Sequence, residues 1–137
     1  VMGRFLASSG QAPDSIVTSS AVRARDTVRM ASRAGGWSAP IRETLDLYGA
    51  SPERILSLVR SEPDTAQSLL LAGHEPTWSH TVSMMTGGCN VRFPTAAMAR
   101  IDFDVYSWRD LDFGLGELIW LIPPKALTGW NPSDESA

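Results

Sequence analysis

The chain has 137 residues, of which 43% are apolar, so it can form one domain with one hydrophobic core and lacks the composition of a disordered protein. Its formal net charge of -3 argues against a nucleic-acid-binding protein, which needs a basic face. The single cysteine excludes an intramolecular disulfide and favours the reducing cytoplasm, and no apolar run reaches the roughly 18 residues of a transmembrane helix, so no membrane partner is expected.

The first residues predict the end of a helix. Met2, Phe5 and Leu6 have the i, i+3, i+4 spacing of one helix face, and Gly10 suits a helix C-terminus. A helix that begins at the first residue has no N-terminal cap, and that residue is Val1. We therefore expect a segment upstream of this sequence.

Strand and helix signals alternate along the rest of the chain. We predict a strand at 15–18, a helix at 21–33, an extended or loop segment at 41–48, a helix that opens at 51–53 and ends before 63, a strand at 68–72, a helix at 77–85, strands at 97–103 and 117–122, and a polar tail at 131–137. The alternation favours a three-layer α/β/α domain over residues 1–130 with a mostly parallel sheet, and the final strands can include an antiparallel edge.

Two of these elements carry more detailed expectations. The helix at 51–53 has the clearest start, with Ser51 as the cap, Pro52 at the first helical position and Glu53 in the first turn. The apolar run at 68–72 predicts a strand that is buried on both faces.

His74 is the first candidate for chemistry. It follows the predicted strand 68–72 directly after Gly73, and Pro76 then leads into the next helix. Ligands of open α/β sheets bind outside the carboxyl ends of the strands, so this position suits a site. A histidine that only caps the loop is the structural alternative, and the residues alone leave both open.

Arg23 is the second candidate. A predicted strand ends at Thr18, Ser19 and Ser20 follow, and Arg23 falls in the first turn of the next helix. A helix N-terminus offers free N–H groups and the positive end of the dipole, and a guanidinium group can hold two phosphate oxygens. Arg25 lies on another face of the helix. A solvated surface arginine is the structural alternative for Arg23.

Other constellations are disfavoured. Ser19 and His74 could be imagined in a Ser-His-Asp triad, but the chain has no Gly-x-Ser-x-Gly elbow. Two histidines and one cysteine without ligand spacing do not predict a metal site, and no cofactor is expected. His80 lies beside Trp78 in a predicted helix, where we expect a structural or surface role.

Three blocks in this order resemble the histidine phosphatase superfamily, also called phosphoglycerate-mutase-like, over nearly the whole chain. Residues 17–27 (VTSSAVRARDT) resemble the family's Ser-x-x-x-Arg-Ala-x-x-Thr block, and residues 70–76 (LLAGHEP) resemble its Gly-His strand end. Residues 93–101 (FPTAAMARI), with Trp108, Gly116-Glu117-Leu118 and Pro124-Lys125 downstream, are similar to the SixA branch.

The resemblance implies a phosphoglycerate-mutase-like fold and a phosphohistidine phosphatase that acts on a signalling protein. In this family a histidine of an Arg-His-Gly motif, at the end of the first strand, attacks phosphorus and forms a covalent phosphohistidine that water cleaves without a metal. Arginines and a second histidine clamp the phosphoryl group. Matched onto this chain, the catalytic and substrate-binding residues are Arg23 and His74.

The chain also departs from the family pattern. It contains no Arg-His-Gly, and residues 2–6 resemble the end of the family's first long helix, so the nucleophile strand is expected upstream and the chain alone is expected to be inactive. Asp26 stands where many members have Gln, and Glu75 where many have Asn, which affects fine specificity. SixA-type members tend to lack a dedicated acid, and Glu43 is the remaining candidate for one here.

Two rival functions stay open. A phosphatase of the same fold could act on a sugar or nucleotide phosphate, although the chain is too short for a long lid. A pseudophosphatase could bind phosphate or a protein without catalysis, as the missing nucleophile would allow. An Arg-His-Gly after an apolar strand in the upstream reading frame would favour the enzyme.

Overall fold

The computed structural model describes residues 2–129, and the predicted polar tail 131–137 lies outside them. Helices and strands alternate through this range. The helices are α1 (Met2–Ser8), α2 (Val22–Gly35), α3 (Pro52–Arg60) and α4 (Thr77–Met85). The strands are β1 (Ser15–Ser19), β2 (Ile41–Thr44), β3 (Leu69–Ala72), β4 (Met98–Phe103) and β5 (Gly116–Ile122). Three 3₁₀ segments follow β2, β4 and β5, at Leu45–Leu47, Trp108–Asp110 and Pro124–Leu127.

The start of α3 forms as its sequence predicts. The Ser51 hydroxyl accepts a hydrogen bond from the Arg54 N–H at 3.3 Å, and Pro52 occupies the first helical turn, where its missing N–H costs nothing. The buried residues of α3 are Ile55, Leu56 and Val59. The cap therefore fixes where the helix begins, and the apolar side of the helix faces the core.

The strands form two sheets in the described part of the chain. In the first sheet β1 is central and pairs in parallel with β2 on one side and β3 on the other. In the second sheet β4 and β5 pair antiparallel, with an irregularity between Arg100 and Ile101. Parallel neighbours need crossover connections, which the intervening helices provide. The predicted parallel sheet is confirmed. The final strands do pair antiparallel, but in the described residues they form a sheet of their own rather than an edge of the first.

One expectation for β3 is wrong. The apolar run predicted a strand buried on both faces, yet all four residues of β3 are partly exposed. The reason is its place in the sheet: β3 pairs with β1 alone among the described strands, so its other edge carries unpaired backbone groups. We call this edge of β3, which faces away from β1, the open edge of β3.

Helix α1 packs tightly on α2 through a glycine. A Cβ atom on Gly3 would come within 1.9 Å of the Ala31 carbonyl oxygen, so only glycine allows this approach of the two backbones. The Trp37 indole also donates a hydrogen bond to the Gly3 carbonyl at 3.1 Å. Leu6 is buried on the same helix, as its predicted apolar face requires.

One hydrophobic core joins the two sheets. Its buried members are Val17, Leu47, Ala50, Ile55, Leu56, Val59, Met85 and Leu111. Ile101 and Phe103 of β4 pack against this cluster from the second sheet. Within residues 2–129, no helix combines the length and the hydropathy that crossing a membrane requires.

Candidate functional site

The end of β1 leads into α2 through a tightly held turn. Thr18 and Ser19 are completely buried, and the Ser19 hydroxyl accepts a hydrogen bond from the Ala21 N–H at 3.2 Å. The Ser20 N–H donates to the Thr44 carbonyl at the end of β2. Helix α2 then begins with no side-chain cap, so the N–H groups of its first turn and the positive end of its dipole suit an anion.

Arg23 lies in this first turn and is exposed. Its side chain makes no hydrogen bond or ion pair with any of residues 2–129. Arg25 differs, because its side chain is only 30% exposed and its Nε lies 3.6 Å from Asp26 and 3.9 Å from Glu43. The two arginines thus occupy different surroundings, as their spacing of two residues predicts.

Glu43 was the remaining candidate for a general acid, and its surroundings do not support that role. Its carboxylate accepts a hydrogen bond from Arg29 Nη2 at 2.7 Å and also lies within ion-pair distance of Arg25. The carboxylate is thus held in an ion pair with Arg29, whereas Arg25 Nε lies near it without a hydrogen bond.

His74 follows β3 in a loop whose backbone is hydrogen-bonded to the first residue of α4. It is exposed, and its carbonyl accepts a hydrogen bond from the Thr77 N–H at 3.2 Å. A Cβ atom on Gly73 would come within 2.9 Å of the Trp78 ring, so the chain approaches this ring closely just before the histidine. The Glu75 carboxylate accepts a hydrogen bond from the Ser79 N–H at 2.8 Å and so holds the start of α4.

The sheet brings the loops of Arg23 and His74 to one edge. Thr18 of β1 and Ala72 of β3 are paired partners at the carboxyl ends of neighbouring parallel strands. Both loops therefore begin side by side, at the edge where ligands of open α/β sheets bind. His80 lies farther along α4 and is exposed.

Arg23 and His74 lie on exposed surface, and neither lines either of two clefts that the described residues form. One cleft of about 330 Å³ lies at the amino ends of the strands, where its walls include Asp14, Ser15 and Glu62. The other, of about 430 Å³, lies beside β2 and α3. Neither cleft is the shared phosphate-sized space that joint binding of one phosphoryl group by Arg23 and His74 would require. Residues 2–129 also contain no group of three histidine, cysteine or acidic side chains placed to hold a metal.

The residues that support His74 were not identified from the sequence. Thr77 is buried, and its hydroxyl donates a hydrogen bond to the Ala50 carbonyl at 2.8 Å, across 27 positions of sequence. The only local signal was a threonine directly after a proline at a helix start, which is common at helix N-termini whatever their function.

The chain is similar in sequence to uncharacterised mycobacterial proteins. No family model matches the chain. An uncharacterised protein of Mycobacterium leprae, ML1117, is 29% identical over 132 residues, which cover 90% of this chain and 79% of that protein.

Solved structures with a similar fold are known. A protein of Nakamurella multipartitia, provisionally named phosphohistidine phosphatase SixA, superposes with a TM-score of 0.73 and 27% identity over 88% of this chain and 76% of that one. A protein of Agrobacterium tumefaciens with the same provisional name superposes with a TM-score of 0.71 and 28% identity, over 90% of this chain and 75% of that one. The histidine phosphatase SixA complexed with tungstate superposes with a TM-score of 0.78 over 92% of this chain and 78% of that one. Because the identity is only 18%, this likeness shows the fold alone.

The fold is therefore the mixed α/β fold of the phosphoglycerate-mutase-like class, with candidate residues after the carboxyl ends of parallel strands. Within that class it is the SixA-type histidine phosphatase fold, as the sequence resemblance predicts. These neighbours support a histidine phosphatase-like function.

Proposed function

We propose that the protein is a cytoplasmic phosphohistidine phosphatase that removes phosphoryl groups from phosphohistidine of a signalling protein. The observation that carries the proposal is the pairing of β1 with β3, from whose carboxyl ends the loops of Arg23 and His74 start. The SixA-type fold suggests the reaction class, and Arg23, which is exposed and has no side-chain partner among residues 2–129, is a cation that could meet a phosphoryl group.

In the proposed reaction the two residues bind charge that develops on the phosphoryl oxygens. Arg23 would donate hydrogen bonds to two of these oxygens from its planar guanidinium group, next to the free N–H groups at the start of α2. His74 would contact the same group from the β3 side. Such preorganised donors stabilise the transition state of phosphoryl transfer more than the ground state.

The nucleophile in this proposal is a histidine upstream of residue 1, which makes the domain 1–130 incomplete at its N-terminus. Its imidazole nitrogen attacks phosphorus, the bond to the substrate imidazole breaks as that imidazole takes up a proton, and water later releases inorganic phosphate. The open edge of β3 supports this, because a further parallel strand pairing there would end beside His74. The 137-residue chain alone is then expected to be inactive.

Activity of a longer protein that includes the upstream strand tests the proposal. With a phosphohistidine-bearing protein as substrate, Arg23→Ala should lose a factor on the order of a thousand in turnover, because transition-state charge is left unpaired. Arg25→Ala is the matched control on the same helix and should retain most activity. Equal losses in the two variants would show that the wrong arginine is assigned. Hydrolysis of sugar or nucleotide phosphates but not of phosphohistidine would favour the small-molecule phosphatase, and oxyanion binding without turnover would favour the pseudophosphatase.

A further inference from the structure

The loop that carries His74 is tied to the segment that follows β2. Thr77, the first residue of α4, is buried, and its hydroxyl donates to the Ala50 carbonyl at 2.8 Å. Its own N–H donates to the His74 carbonyl at 3.2 Å. One residue therefore bonds both to the histidine loop and to the neighbouring loop 45–51.

Other contacts hold the same place. The Trp78 ring lies against Gly73, and a Cβ atom on that glycine would also come within 3.6 Å of the Leu47 carbonyl oxygen. Leu47 and Ala50 are both buried members of the core. The segment to which Thr77 is bonded is thus anchored in the core by Leu47 and Ala50, and a shift of Thr77 would be transmitted to the His74 backbone.

We infer that Thr77 is a positioning residue for His74, and that its hydroxyl sets the place of the histidine loop relative to Arg23. The inference rests on the proposed function, in which His74 and Arg23 bind one oxyanion. Replacing the hydroxyl by a methyl group would leave the buried Ala50 carbonyl without its partner, since that bond is internal to the protein. The start of α4 would then move so that the Ala50 carbonyl can accept a hydrogen bond from another donor, and His74 would move with it.

Helix α4 offers a matched control. Thr81 is buried like Thr77, and its hydroxyl donates to the Thr77 carbonyl at 2.6 Å, a bond that stays within the helix. Thr81→Val therefore removes a comparable hydroxyl without breaking the link between the two loops. Thr77→Ser keeps the linking hydroxyl and removes only a methyl group.

Tungstate binding to the 137-residue chain, followed by NMR, tests the inference. The chain has two histidines, so its imidazole spectrum contains two sets of carbon-bound proton signals, and His80→Gln assigns them. We expect tungstate to shift the His74 signals, with an affinity about tenfold weaker in Thr77→Val, because the displaced His74 would lose its hydrogen bond to the oxyanion. Thr77→Ser and Thr81→Val should stay within about twofold of the parent chain, with urea unfolding recorded for all variants.

The outcomes separate the inference from the proposed function. Equal affinity in Thr77→Val and the parent chain would overturn the positioning role while leaving the oxyanion site in place. Equal weakening in Thr77→Val and Thr81→Val would also overturn it, because the effect would then be general loss of stability. A parent chain in which tungstate leaves His74 unshifted would contradict the proposed site itself, and the inference with it. If Thr77→Val does not fold, Thr77→Ala removes the same hydroxyl with a smaller side chain and carries the same expectations.

Discussion

Gly73→Ala tests how closely the chain before His74 approaches Trp78. The new Cβ would lie 2.9 Å from Trp78 Cζ2, whereas carbon atoms in good contact lie about 3.5–4.0 Å apart, so ring or backbone must move by about 0.6 Å or more. Such overpacking costs about 1–3 kcal/mol. No positive φ is recorded for Gly73, so alanine is tolerated by the backbone and gains about 0.4–1 kcal/mol from the unfolded state. The net expectation is a loss of about 1–2 kcal/mol.

A second background makes this prediction specific. Trp78→Phe removes the part of the indole that the new Cβ would meet, so in that background Gly73→Ala should be neutral or stabilising. Urea unfolding followed by far-ultraviolet circular dichroism gives the four free energies of the cycle without depending on tryptophan fluorescence. If Gly73→Ala lowers the free energy of unfolding by the same amount with Trp and with Phe at position 78, the contact between residue 73 and the ring does not constrain the loop.

Three further changes test contacts elsewhere in the fold. Arg42→Met should cost about 2–4 kcal/mol, because it leaves the Glu62 carboxylate, which is 4% exposed, without its positively charged partner and with the Ser15 hydroxyl as its remaining hydrogen-bond donor among the described residues. Glu62→Gln should cost about 1 kcal/mol because Arg42 is 52% exposed, and the reverse order in urea unfolding would contradict this expectation. Gly3→Ala should lower stability by about 2 kcal/mol or more by forcing α1 off α2, and a thermal unfolding midpoint equal to that of the parent chain would contradict that packing. Ser51→Ala should cost about 1 kcal/mol through loss of the α3 cap, and an unchanged urea midpoint would mean that the cap contributes nothing.

Local signals in the sequence predicted the elements that local physics controls. The limits predicted for α4, 77–85, agree with those in the structure, and the start of α3 follows from a serine cap and a proline. The positions of Arg23 and His74 after strand ends could also be predicted, because parallel strands share one carboxyl edge.

The remaining features depend on residues far apart in sequence. The apolar composition of β3 could not reveal that it has one strand partner in the described sheet, so its burial was overestimated. The segment 41–48 was predicted only as extended or loop, since β2 is four residues long and its pairing with β1 decides its form. The bond from Thr77 to Ala50 has no local signature, and it exists only because two loops meet at the same edge.

The covalent intermediate is the most direct test of the proposed phosphatase. A protein substrate carrying radiolabelled phosphohistidine is mixed with the longer protein that includes the upstream strand, and the reaction is quenched within its first turnover. We expect label on the longer protein in a linkage that is labile to acid and stable to alkali, as phosphohistidine is, with much less label on its Arg23→Ala variant and none on the 137-residue chain. Label on the 137-residue chain, or release of phosphate by the longer protein without any labelled intermediate, would contradict the proposed mechanism.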